Sequence, residues 1–188
     1  MKNHRSSASL LFGVLTIVLG FSMAASAQSR EGLVGELLTD IAGVEKKVLD
    51  LARALPDSAY AWRPAPGVRS TAEVFQHIAA DNYFLPVLVA MPAPKETGIT
   101  KDYKTVAAYE KRTMTRDEVI AELEKSFAFL RTSIGATTDA QLSASIDMFG
   151  QKSTTRGLWL TTATHLHEHL GQLIAYARAN KVTPPWSK

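Results

Sequence analysis

The sequence predicts an all-α protein, a four-helix bundle with a long crossover between its second and third helices. Three observations predict it. Four long segments carry apolar residues at helical spacing, the links between them hold turn and proline residues, and no alternating β-branched run is long enough for a substantial strand. The only strand-like stretch is "SASIDMFGQKST" (143–154), which suits a small hairpin around Gly150.

The N-terminal 27 residues are set apart from this fold. "MKNHRSSAS" is positively charged, "LLFGVLTIVLGFSM" is apolar, and "AASAQ" places Ala25 and Ala27 where a signal peptidase cuts. The expectation is a signal peptide over residues 1–27 and a single exported domain over 28–188, periplasmic or secreted. The apolar run is short for a membrane span, which needs about 20 residues. Cleavage would remove Lys2 and Arg5 from the 21 basic residues, leaving 19 against 18 acidic ones. A chain so close to neutral lacks the basic footprint of a nucleic-acid binder. The chain has no cysteine, so neither a disulfide framework nor thiol chemistry of its own is available.

The first helix is "EGLVGELLTDIAGVEKKVLDLARAL" (31–55). Its Val34, Leu37, Ile41, Val44, Val48, Leu51 and Leu55 step by threes and fours along one seam. The second, "STAEVFQHIAADNYFLPVLVAM" (70–91), opens on a capping box of Ser70 and Glu73 and is apolar nearly all round, which predicts deep burial. Pro86 should bend it or end its regular part, because it lacks an amide donor. A second capping box, Thr115 with Glu118, opens the third helix, where Val119, Leu123, Phe127, Leu130 and Ile134 face the core and Gly135 is the expected C-cap. The fourth runs from about Thr155 to Ala179, with Trp159, Ala163, Leu166, Leu170, Ile174 and Ala177 on its core side, and "VTPPW" stops it. "PDSAYAWRPAPGVR" and "MPAPKETGITKDYK" read as loops. About 24 residues separate the second and third helices, too many for a tight antiparallel hairpin. A crossover that leaves these two parallel follows.

Chemistry concentrates in "HLHEHLGQLIAYAR" (165–178). At about 100° per residue, His165 and His169 lie about 40° apart on the fourth helix, close enough for two imidazoles to converge on one ion. His167 points elsewhere, toward solvent. Gln172 and Tyr176 share the face of the histidine pair, where they suit substrate contact or core-edge packing equally. The remaining histidine beyond the leader is His77, on the apolar second helix with Asp81 four residues on. From the residues alone it is either a packed core histidine or a third ligand. "HLHEH" also reads as H-x-x-E-H, a metalloprotease pattern with Glu168 as general base. That pattern needs a later ligand, and the 19 residues after His169 contain no Asp, Glu or His.

Together "WRPAPGVRSTAEVFQHIA" (62–79) and "HLHEHLGQLIAYARANKVTPPW" (165–186) resemble the DinB-like superfamily, over about residues 31–188. The resemblance implies helices in up-down-down-up order and a divalent metal held by His77, His165 and His169. Leu170 stands where many members carry Arg. Members include transferases and isomerases that use bacillithiol or mycothiol, and others assigned as metal-dependent hydrolases; dimers are frequent. The expectation is therefore a metal-dependent hydrolase or transferase acting on a small molecule, with no nucleic-acid partner, and with the homodimer as its expected assembly. The ion would be zinc, nickel or iron, since three-histidine sites suit several divalent metals. Asp81 and Glu168 are the candidates for proton transfer or for orienting the ligands. The competing class is a non-catalytic exported scaffold that binds metal or ligand. A thiol cosubstrate fits export poorly, because the relatives' thiols are cytosolic.

Overall fold

In the computed structural model, residues 32–187 are described, and the expected signal peptide over residues 1–27 lies outside them. The chain order is α1 (Leu33–Ala54), α2 (Asp57–Tyr60), α3 (Thr71–Phe84), a 3₁₀ segment (Leu85–Val89), α4 (Tyr103–Glu110), α5 (Arg116–Ala136), α6 (Asp139–Leu142), β1 (Ser145–Met148), β2 (Gln151–Thr154) and α7 (Thr155–Ala179). Among the described residues no helix is long and apolar enough to cross a membrane.

The four long helices α1, α3, α5 and α7 form the bundle. α1 and α3 each pack against both α5 and α7. Side-chain pairs give their directions. Arg53 pairs with Glu124 and Arg131 with Glu45, so α1 and α5 run antiparallel. Gln76 donates to the carbonyl of Arg112 at the approach to α5, while Asn82 donates to Ser126 at 3.1 Å, so α3 and α5 run parallel. Tyr176 reaches the Arg69 carbonyl and His165 meets His77, which makes α7 antiparallel to α3. The order is therefore up-down-down-up, with residues 90–115 as the crossover. The seams of α1 and α5 are buried at every expected position, as is α7 except at the half-buried Ile174.

Local signals explain the helix ends. Both expected capping boxes form, Ser70 with Glu73 and Thr115 with Glu118. At Pro86 the α-helix gives way to the 3₁₀ segment, which stops at Ala90 in the left-handed conformation. Two expectations need correction. Gly135 is an interior residue of α5, which continues to Ala136 and is capped by extended Thr137. That cap is held from outside, because Thr137 Oγ1 accepts from the indole of buried Trp159 at 3.1 Å. The crossover is not all loop, since α4 forms within it, capped by the Asp102 side chain on the Lys104 amide. Its buried Val106 and Tyr109 supply the apolar face that propensity alone would not reveal.

Ser70 caps the helix that carries His77, so its loss should be felt in stability. Ser70→Ala is expected to cost about 1 kcal/mol, lowering the melting temperature by roughly 2–4 °C for a chain of this size. Thermal denaturation followed by circular dichroism reads this directly.

Candidate metal centre

α3 and α7 cross where each carries histidine. The two turns of α7 from Thr161 to His169 put His165 and His169 on one side, and the antiparallel α3 presents His77 to them. His165 Nε2 lies 2.9 Å from His169 Nε2 and 3.2 Å from His77 Nε2. The three rings stand nearly perpendicular to one another, with interplanar angles of 73°, 77° and 86°. The closest approaches run between ring nitrogens, and one ligand atom from each ring lies within 4.8 Å of the others. Nitrogen ligands about 2.0–2.1 Å from one ion lie roughly 2.9–3.4 Å apart for angles between square and tetrahedral. The observed spacings are of that size.

The far sides of the rings decide which atoms face inward. His77 Nδ1 sits 2.6 Å from a carboxylate oxygen of Glu110, the last residue of α4. A carboxylate only accepts, so Nδ1 carries the proton. His169 Nδ1 meets the Gln172 side-chain oxygen at 2.9 Å, and the Gln172 amide donates to Tyr176, whose hydroxyl donates to the Arg69 carbonyl. That chain of donors leaves the Gln172 oxygen free to accept from His169. In the neutral rings, Nε2 of both His77 and His169 then presents a lone pair to the cluster. Burial lowers His165 to about 4, helped by the neighbouring His169 and His77. His169 is lowered too, chiefly by burial. Both are neutral near pH 7, the form that ligates.

Asp81, one turn along α3 from His77, brings Oδ2 to 3.4 Å from His77 Nε2 and 3.3 Å from His165 Nε2. Burial raises its carboxyl to about 6, with Glu110 adding to the rise while His77 and Arg69 oppose it. For Glu110, burial acts upward, but the His77 hydrogen bond and the charges of His77 and Arg69 outweigh it and hold it below the usual carboxylate range. Arg69 itself reaches Glu110 at 3.5 Å. Beside the cluster opens a cavity of about 350 Å³, lined by His77, Asp81, Leu85, Tyr103, Phe149, Thr161 and His165. A larger hollow near Arg112, Glu118 and Lys125 has no histidine on its wall.

The structure thus brings together His77, His165, His169 and Asp81. Glu168 is exposed, about 60–100° round α7 from the histidine pair, and joins none of the cluster's hydrogen bonds among the described residues, though its charge reaches His169. His167 is exposed as expected, with Nε2 3.0 Å from both carboxylate oxygens of Asp40. Sequence reasoning missed Glu110, Arg69, Tyr103 and Phe149. For Glu110 a signal existed: a ligating histidine needs an acceptor at its other nitrogen, and the crossover had to pass beside the helix carrying His77.

The comparisons agree with this architecture. A DinB-like protein of Bacillus subtilis superposes with a TM-score of 0.61 at 20% identity, covering 79% of this chain and 93% of that one. A conserved protein of Enterococcus faecalis gives a TM-score of 0.65 at 14% identity, over 79% and 97% of the two chains. A variant of a mycothiol-dependent maleylpyruvate isomerase gives a TM-score of 0.59 at 14% identity, over 76% of this chain and 61% of its own. At these identities the likeness is one of fold. No curated protein sequence matches. The sequence of residues 40–173 matches the DinB superfamily, and the chain belongs to that superfamily.

Proposed function

We propose that this protein is an exported metal-dependent enzyme, a hydrolase or transferase of a small molecule, whose divalent ion is held by Nε2 of His77, His165 and His169. One observation carries the reading. Nε2 of His165 lies at ligand spacing from Nε2 of both His77 and His169, and for those two an acceptor at Nδ1 turns the lone pair of a neutral ring inward. A cation there supplies Lewis acidity, the means of ionising water or a thiol at neutral pH.

The chain's own residues do the rest. Glu110 and Gln172 hold the rings of His77 and His169 in one tautomer and one orientation. Asp81 lines the cavity beside His77 and His165, where Oδ2 can accept a proton from a group entering next to them. Leu85, Tyr103 and Phe149 keep that side of the cavity apolar, which strengthens polar interactions at its floor. Export rests on the layout of residues 1–27, and a homodimer on the habits of the superfamily; neither touches the site.

The position of Asp81 also favours a second reading, a closed four-ligand structural site in a non-catalytic scaffold, because Oδ2 is near enough to two of the nitrogens to complete the set. Metal analysis by mass spectrometry separates the two. One divalent ion per wild-type chain, lost in His77→Ala and retained in Asp81→Asn, is the outcome expected for an open catalytic site. Loss in Asp81→Asn would favour the closed site, and a wild type without metal would overturn both.

Glu110→Gln should keep the fold while weakening its hold on His77, since an amide is a poorer acceptor than a carboxylate. Metal affinity is expected to fall roughly 10- to 100-fold, read by competition with a chromophoric chelator. Unchanged affinity would remove Glu110 from the account.

A further inference from the structure

Tyr103 and Phe149 are 55% and 62% exposed, the most exposed large apolar side chains among the described residues. They come from different segments, one at the start of α4 and the other at the tip of the β1–β2 hairpin, yet both line the cavity beside His77, Asp81 and His165. Both also rest on one buried ring. Tyr103 meets Phe84 edge-on with centroids 5.8 Å apart, and Phe149 lies tilted over it at 6.1 Å.

The backbone at Phe149 sharpens the observation. Met148 pairs with Gln151, so Phe149 and Gly150 are the two-residue connection, with φ of 57° and 82°. Such turns favour Asn-Gly or Asp-Gly, because a side chain at positive φ crowds its own backbone and short polar groups tolerate this best. A phenyl ring there is strained, and the core does not compensate, since most of the ring stays in water. Strain of this kind collects at ligand sites.

We propose that Phe149 and Tyr103, seated on Phe84, form an aryl-binding subsite next to the histidine cluster. It would take a small molecule whose polar reacting group reaches His77, His165 and Asp81 and whose adjoining part is a flat aromatic ring. The polar half of this assignment rests on the metal reading above. The aryl half rests on the three rings, because edge and tilted ring contacts add attraction that an alkyl group of equal area lacks. The cavity, at about 350 Å³, lies within the range of small-molecule sites.

The probes are benzohydroxamate and acetohydroxamate, which share a metal-binding head and differ in the ring. Calorimetric titration of zinc-loaded protein should show benzohydroxamate binding about tenfold tighter or better. Phe149→Asn should bring the ratio close to one with zinc stoichiometry unchanged, while its melting temperature rises by roughly 2–4 °C as the turn relaxes. A residue kept for structure alone would not give stabilisation together with lost selectivity. Tyr103→Ala should lower the ratio independently. Equal affinity for the two probes in the wild type, or an unchanged ratio in Phe149→Asn, would overturn the subsite. Aromatic-proton NMR on metal-free protein isolates it from the metal: benzohydroxamate, and not acetohydroxamate, should shift the Phe149 and Tyr103 ring signals. A protein that bound no zinc yet gave those shifts would sink the metal reading and support this one.

Discussion

Lone pairs repel, and the crossing of α3 and α7 forces several of them together. His77 and His169 each give the Nδ1 proton to an acceptor, so in the neutral, ligating form each ring turns a lone pair toward Nε2 of His165, at 3.2 Å in one case and 2.9 Å in the other. A neutral His165 has at most one Nε2 proton to share between them. The carboxylate of Asp81 adds further negative potential at 3.3–3.4 Å. In a site this buried, a cation or an added ring proton relieves that repulsion by accepting the electron density. The surrounding elements bring these groups together.

Topology delivers each part from a different stretch of chain. Parallel α3 and α5 oblige the chain to travel the length of the bundle between them, and α4 forms on that return path. Its C-terminal Glu110 lands against His77, and its N-terminal Tyr103 lands at the cavity. The hairpin fills the gap before α7 and brings Phe149 to the same opening. A tight hairpin between α3 and α5 would have left His77 without its carboxylate. The buried Asn82–Ser126 bond fixes the register of the two parallel helices, and the Tyr176 bond to the Arg69 carbonyl holds α7 against the start of the helix that carries His77.

What was legible in the sequence was what regular geometry dictates. Spacing by four placed His165 and His169 on one side, and the same periodicity turned His167 outward. The apolar seams located the core, and the length of the crossover implied parallel α3 and α5. His77 became a third partner only through the resemblance, because one histidine on an apolar helix reads equally well as core. Glu168 looked suitable because it neighbours His169 in the chain, but helical rotation carries it to the exposed side. Glu110 stayed hidden in a segment whose helix forms by burying Val106 and Tyr109, a tertiary effect. Gly135 invited a C-cap that the Trp159 indole makes unnecessary by holding Thr137, just past the helix end.

The central claim concerns where a cation sits, and anomalous diffraction locates one without reference to activity. Crystals of the protein grown with zinc and measured at the zinc absorption edge should show one dominant peak per chain. It should lie within about 2.0–2.1 Å of Nε2 of His77, His165 and His169. A dominant peak bound to other residues, with these three rings bonded only to one another, would contradict the account.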